Sequence, residues 1–266
     1  MTRLFTGRTG DLVAAEWIKM RSLRSTGWAL LALVMVSVGL SVMATSLYMS
    51  KWSSLDQADR DHLLTDPVGL ILQPTAIYGQ IAVCVLGALM IASEYATGTI
   101  RVTMLAQPRR PAVLLAKATV LAGVVMVVGE LIAVTSFLIG QRVLAERADV
   151  SLGDPGVLRA IIGTGLYLAA MALFSLGVGT AIRHTGTAIA TILGTVLVLP
   201  PLTSLLPGRL GHYLSTYLPG EAGQQLLSVG DGSGSWVMPW QGFAALMLWA
   251  LGALGVGGLL LVRRDV

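Results

Sequence analysis

Residues 113–140 read VLLAKATVLAGVVMVVGELIAVTSFLIG. Lys117 and Glu130 are the only ionisable side chains in this stretch. A hydrocarbon layer about 30 Å thick is crossed by about 20 helical residues, so the run is long enough to span one. Working outward, five further runs share its character: residues 28–49, 75–93, 158–182, 187–206 and 240–262. Each is bounded by charged residues or by Pro and Gly clusters. The reading is an all-α integral membrane protein with about six transmembrane helices.

Composition agrees. The chain is 55% hydrophobic and 12% charged, with a mean hydropathy of +0.76. A soluble domain covers itself with roughly 25% charged residues, and half that share would leave too much apolar surface in water. The lone cysteine, Cys84, lies inside an apolar run, which excludes a disulfide framework. The first apolar run starts near Trp28 and is too long for the core of a signal peptide, so no cleavable leader is expected. Nucleic-acid binding is not expected either, because the basic residues form no stripe with interleaved aromatics.

Topology follows from Lys and Arg, which concentrate on cytoplasmic loops. Of 18 such residues, an inside N-terminus leaves only Lys51, Arg60, Arg142, Arg147, Arg159 and Arg209 outside. Both termini are therefore expected in the cytoplasm. Arg183, His184, Thr185 and Gly186 are all that separates the fourth run from the fifth, which reads as a tight helical hairpin at the membrane surface.

Three segments lie off the spans. Residues 1–27 are read as a cytoplasmic N-terminal segment whose part from Thr9 to Arg24 is helical, capped by Thr9 or Asp11. Val13, Trp17 and Met20 share one arc there, with Arg21 and Arg24 intruding on it, which suits either a helix lying in the headgroup layer or an ordinary basic flank that only fixes orientation. Residues 207–239 form an outer loop whose Tyr213, Tyr217, Leu218, Leu226 and Leu227 are too apolar for free loop, so part of it should lie on or dip into the outer leaflet.

The third segment, residues 94–111, reads EYATGTIRVTMLAQPRRP. Glu94 ends an apolar run at the membrane surface. Gly98 can take positive φ and turn the chain, and Thr99 is a suitable N-cap. Ile100, Met104 and Leu105 then share one face of about two turns, and Pro108 ends the helix. Arg109 and Arg110 mark the return to the surface. A short helix clamped between two spans in this way is suited to passing force from a soluble partner into the bundle.

Here the chain resembles a known family. Glu94-Tyr95-x-x-Gly98-Thr99-Ile100-Arg101, then Leu105, Pro108-Arg109-Arg110 and Ala116-Lys117, is similar to the cytoplasmic loop of ABC-2 type permease subunits of bacterial exporters. The stretch from Glu16-Trp17-Ile18-Lys19 to Thr26, the late Tyr217-Leu218-Pro219-Gly220 and the closing Arg263-Arg264-Asp265 resemble the same family. The resemblance implies a single permease domain over residues 1–266, with a bundle over 28–262, in the plasma membrane of a bacterium. It also implies pairing with a second permease, identical or similar, and with two copies of a cytoplasmic ATPase that hold ATP and Mg. Residues Glu94, Tyr95, Gly98, Thr99, Ile100, Arg101, Leu105, Pro108, Arg109 and Arg110 would then contact that ATPase.

Other chemistry is thin. A phosphate-binding loop needs Gly before its Lys, but Lys19, Lys51 and Lys117 follow Ile18, Ser50 and Ala116. Neither a Gly-x-Ser-x-Gly elbow nor a His-Glu-x-x-His motif occurs, so no enzymatic role, resident cofactor or metal is expected. Glu130 is the one carboxylate deep in a span. Either it lines a translocation route together with Gln80, or it serves helix association by hydrogen bonding to Gln80 or a nearby Ser or Thr. Two other functions fit the same composition: an ion-coupled secondary transporter using Glu130, and a non-transporting scaffold or immunity protein. Small residues such as Gly165 with Ala169, Ser175 with Gly179, and Gly252, Gly255 and Gly258 are placed for close helix contact. Pro200-Pro201 should break or kink the fifth span.

Overall fold

The computed structural model describes residues 9–22, 24–148, 150–206, 209–229 and 237–264. Arg3, Arg8, Leu23 and Asp265, used in the topology and family readings, lie outside them. The described residues form helices and no strand. In chain order these are α1 (Thr9–Ser22), α2 (Arg24–Ser50), α3 (Gln57–Thr65), α4 (Pro67–Thr97), α5 (Thr99–Ala106), α6 (Arg110–Leu144), α7 (Val157–Ile182), α8 (Thr185–Leu193), α9 (Leu199–Ser204), α10 (Arg209–Thr216), α11 (Pro219–Gln224) and α12 (Pro239–Arg263). A π-helical segment, Gly194–Val198, joins α8 to α9 as one continuous rod. Six of these rods are long and apolar enough to cross a bilayer: Gly27–Ser50, Pro67–Thr97, Arg110–Leu144, Val157–Ile182, Thr185–Ser204 and Pro239–Arg263.

The second and third rods exceed their sequence readings. At 1.5 Å per residue α4 is about 46 Å long and α6 about 52 Å, well beyond a hydrocarbon layer of about 30 Å. The reading stopped the second run at Pro74, yet α4 continues through it to Pro67, where Asp66 Oδ1 accepts from Gly69 N at 2.8 Å and caps the helix. Pro200 and Pro201 likewise fail to break the fifth rod. The π segment, where Leu199 N donates to Gly194 O, widens the helix just before them, so two residues without an N–H are tolerated in the first turn of α9.

Packing centres on α7, which is 78% buried along its span and lies against α4, α6 and α12. Glycine makes the closest crossings. A Cβ on Gly177 would stand 2.5 Å from the backbone of Ala253 and Leu254, and one on Gly87 would stand 2.5 Å from Ala172 O. By contrast Gly252 and Gly255 face open space and a Cβ on Gly258 would meet Leu114 only at 3.5 Å, whereas one on Gly257 would stand 2.7 Å from Gly177 O, so the close crossing of α12 is made beside the expected glycine stripe. Polar side chains add ties between rods: Ser41 Oγ donates to Ile71 O at 2.6 Å, and the Thr75 and Ser136 hydroxyls meet at 3.1 Å. Such bonds add modestly to helix association in lipid.

The bundle has two ends. At one, the Asp66 end, Asp66 accepts from Ser228 Oγ at 2.7 Å and Val229 N at 3.2 Å, and Arg159 donates to Ser228 O at 2.7 Å. These bonds close the segment after α11 onto α4 and α7. The turn between α10 and α11 then reaches inward. Trp249, ten residues or about 15 Å inside α12, donates from Nε1 to Tyr217 O at 2.9 Å. Pro219, Gly220, Ala222 and Gly223 are buried, as are Leu226 and Leu227. Of the apolar residues read in this segment, Leu218, Leu226 and Leu227 are thus buried by a helical turn packed into the bundle, whereas Tyr213 and Tyr217 are about half exposed.

Candidate functional site

The other end gathers most of the residues singled out from the sequence. Gly98, at φ 71°, ends α4 and starts α5. It is therefore Gly98, and not Thr99, that occupies the cap position. The Thr99 hydroxyl instead meets that of Thr97 at 2.9 Å and reaches Glu94 O at 3.5 Å, closing the turn. Ile100 and Met104 are buried, as the periodicity requires, but Leu105 is 82% exposed and Val102 68%. The reason is helical geometry: Ile100 and Met104 are four residues apart and share a face, whereas Leu105 falls 100° further round. Arg101, Pro108 and Arg109 are exposed beside them. The segment thus presents an apolar tip with cationic flanks, seated on the bundle by two side chains.

Beneath this tip lies a group of four charges. Lys117, 1% exposed, places Nζ 2.7 Å from Glu16 Oε2 and 2.7 Å from Glu94 Oε1. Lys19 Nζ lies 2.8 Å from Glu16 Oε1 and 3.5 Å from Glu94 Oε1. Two ammonium groups and two carboxylates from three elements, α1, α4 and α6, therefore neutralise one another. Burial pushes the Glu16 carboxyl up, but Lys117 and Lys19 outweigh it and hold the group below its ordinary range. Burial opposes the charge on Lys19, yet the carboxylates of Glu16 and Glu94 win and raise its pKa. The cluster fixes α1 to the bundle. The face of α1 turned inward accordingly carries Glu16, which is 5% exposed, whereas Trp17 is 47% exposed. The arc of Val13, Trp17 and Met20 is only partly the packed one.

Tyr95, the neighbour of Glu94, continues the connections. The Arg183 guanidinium lies 5.2 Å from the centre of its ring. Arg183 follows α7 and has φ 64°, the one non-glycine residue with positive φ among those described. That conformation costs an L residue roughly 1–2 kcal/mol. Arg110 does not face outward with Arg109; its Nη1 donates to carbonyls at the end of α12, the nearest being Leu261 O at 2.8 Å.

Gln80 and Glu130 belong elsewhere and are not joined. Tyr167, fully buried, donates its hydroxyl to Gln80 Oε1. Gly220 packs close by: a Cβ there would stand 3.4 Å from Gln80 Oε1. Glu130 rests on Gly165, and its Oε1 has no hydrogen-bond partner among the described residues.

Of the residues at the Glu94 end, sequence reasoning used Glu16, Lys19 and Lys117 only in the family resemblance and the charge count and Arg183 only in the hairpin, and gave none of them a partner. One signal was present for the cluster: a lysine inside an apolar run needs a counter-charge at the same depth, and Glu94 ends the preceding run. Nothing comparable marked Arg183.

Fold and site together define an all-α membrane protein of the multi-span class with a charged junction at one end of its bundle. No protein-family model matches the chain, and no curated protein matches it significantly.

Proposed function

We propose that the chain is the membrane-spanning permease subunit of an ATP-binding-cassette exporter, multi-pass in a bacterial plasma membrane, with both termini and residues 94–111 in the cytoplasm. The observation that carries the reading is the α5 elbow. Its tip of Arg101, Val102, Leu105 and Arg109 is exposed, while its stem is tied through Glu94 to α1 and α6. An exposed apolar patch with a polar rim marks a protein contact, and a rigid stem would pass force from that contact into the spans. The resemblance of residues 94–117 to ABC-2 permeases names the partner: a cytoplasmic ATPase, in two copies, carrying ATP and Mg. Large apolar faces on the first, fifth and sixth rods, which are only 22%, 17% and 22% buried, leave room for lipid and for a second permease, identical or similar. Nucleotide binding would then bias the bundle between two openings.

One observation favours an ion-coupled secondary transporter instead: the buried Oε1 of Glu130 has no partner among the described residues. Affinity purification of the chain from its native membranes, followed by reconstitution in vesicles, separates the two. The exporter reading expects a co-purifying ATPase whose hydrolysis is stimulated by the permease. It also expects Leu105→Asp to lose that ATPase while still inserting. Flux that needs no nucleotide, or labelling of Leu105→Cys by a membrane-impermeant reagent from outside intact cells, would overturn it.

A further inference from the structure

Two arginines from different helices converge on the last turn of α12. Arg110, the first residue of α6, donates from Nη1 to the carbonyls of Leu261 at 2.8 Å, Arg264 at 3.0 Å and Val262 at 3.4 Å. Arg183, which follows α7, donates from Nη2 to Leu260 O at 3.1 Å and Arg264 O at 3.4 Å. The last carbonyls of a helix have no partner within it and carry partial negative charge, so guanidinium groups suit them. A helix normally meets this need with its own glycine turn or its own basic residues. Here Arg264 N meets Leu260 O at 3.0 Å, and the other caps come from elements that belong to the junction already described. Arg110 is continuous with residues 99–109, and Arg183 stacks on Tyr95 beside Glu94.

The backbone of Arg183 adds a second, independent observation. At φ 64° glycine would be the easier residue, and glycine would delete only the side chain that reaches Tyr95 and α12. A conformation kept against its steric preference points to a use for the group it carries.

We propose that Arg110 and Arg183 are positioning residues that tether the end of α12 to the coupling segment. Displacement of residues 99–109 is thereby passed to the sixth span as well as to α4 and α6. The proposal rests on the reading of the exposed tip, Arg101, Val102, Leu105 and Arg109, as the ATPase contact.

The test uses the permease with its co-purified ATPase in lipid nanodiscs. Cys84 is buried, so nitroxide labels go to introduced cysteines, Trp28→Cys on the exposed face of α2, which neither arginine touches, and Arg263→Cys on α12. Pulsed electron paramagnetic resonance then reads their separation with and without a Mg-bound non-hydrolysable ATP analogue. The wild-type background is expected to show a nucleotide-dependent shift. Arg183→Gly combined with Arg110→Ala is expected to retain the ATPase and lose the shift. Arg183→Gly alone, whose backbone favours the native turn, is expected to unfold at the wild-type temperature and to lose at least half of it. That single variant decides the matter if the double variant does not fold. A full shift in Arg183→Gly, or in a folded double variant, overturns the tether. A wild-type protein with neither ATPase nor shift removes the coupling reading itself, and with it the proposed role, before any variant is compared.

Discussion

Replacing Lys117 with methionine removes one charge and keeps most of the side-chain volume. The structure lets the cost be worked out. Lys117 is 1% exposed and lies 2.7 Å from each of two carboxylates. With an effective dielectric near 20, each contact has a gross attraction of about 6 kcal/mol. Most of that is offset by the several kcal/mol needed to take each ion out of water. Removing one partner of a buried pair typically costs about 3–5 kcal/mol, because the remaining charge is left without compensation. Lys19 stays 2.8 Å from Glu16 and 3.5 Å from Glu94, which argues for the lower end, about 3 kcal/mol. That is roughly a hundredfold in the unfolding equilibrium. Unfolding in mixed micelles, followed by tryptophan fluorescence as the denaturing detergent is titrated, measures it. Lys117→Met should shift the equilibrium by that amount, and adding Glu94→Gln should recover at least about 1.5 kcal/mol relative to additivity. A loss under about 0.5 kcal/mol, which is within the range of ordinary surface substitutions, would refute the reasoning. Strict additivity of the two substitutions would do the same.

The same cluster sets a pH window. Glu16 is held below its ordinary value of 4.5, so its contribution is present above that pH and is lost as pH falls through the depressed value. Lys19 is raised above 10.5, so its contribution is present below that pH and is lost as pH rises through the raised value. The stability difference between wild type and Glu16→Gln should therefore be constant near neutrality and vanish in acid; a difference that persists there would contradict the pairing. At Gly98 a Cβ meets nothing within 4 Å, so Gly98→Ala should cost only the left-handed backbone term, about 1 kcal/mol, measured in the same titration. Gly177→Ala forces α7 and α12 apart at a 2.5 Å backbone approach and should cost about 1–3 kcal/mol. Gly255→Ala, facing open space, should cost nothing measurable.

Hydropathy and charge in the chain by themselves were enough to set the class. Six apolar runs long enough for a bilayer became six rods because burying a helical backbone in lipid leaves little choice of local structure. The bounds of the α5 elbow were equally readable, since Gly98 and Pro108 act on φ locally and independently of context, but its cap residue and the outward face of Leu105 were not. The ends of α4 and the path through Pro200-Pro201 were not. Whether a helix tolerates proline depends on a free carbonyl or a widened turn nearby, and composition does not encode that.

What only the tertiary structure decided is which polar groups meet. Lys117 lies 101 residues from Glu16 and 23 from Glu94, and Arg110 lies 151 residues from Leu261. Gln80, read as a possible partner for Glu130, pairs with Tyr167 instead. These pairings depend on rotation and depth of whole helices, which close packing at Gly87 and Gly177 sets to within a fraction of a turn. A charge in an apolar run announces that it needs a partner, because burying it alone is prohibitively costly. The identity of that partner is a property of packed helices and is absent from any one of them.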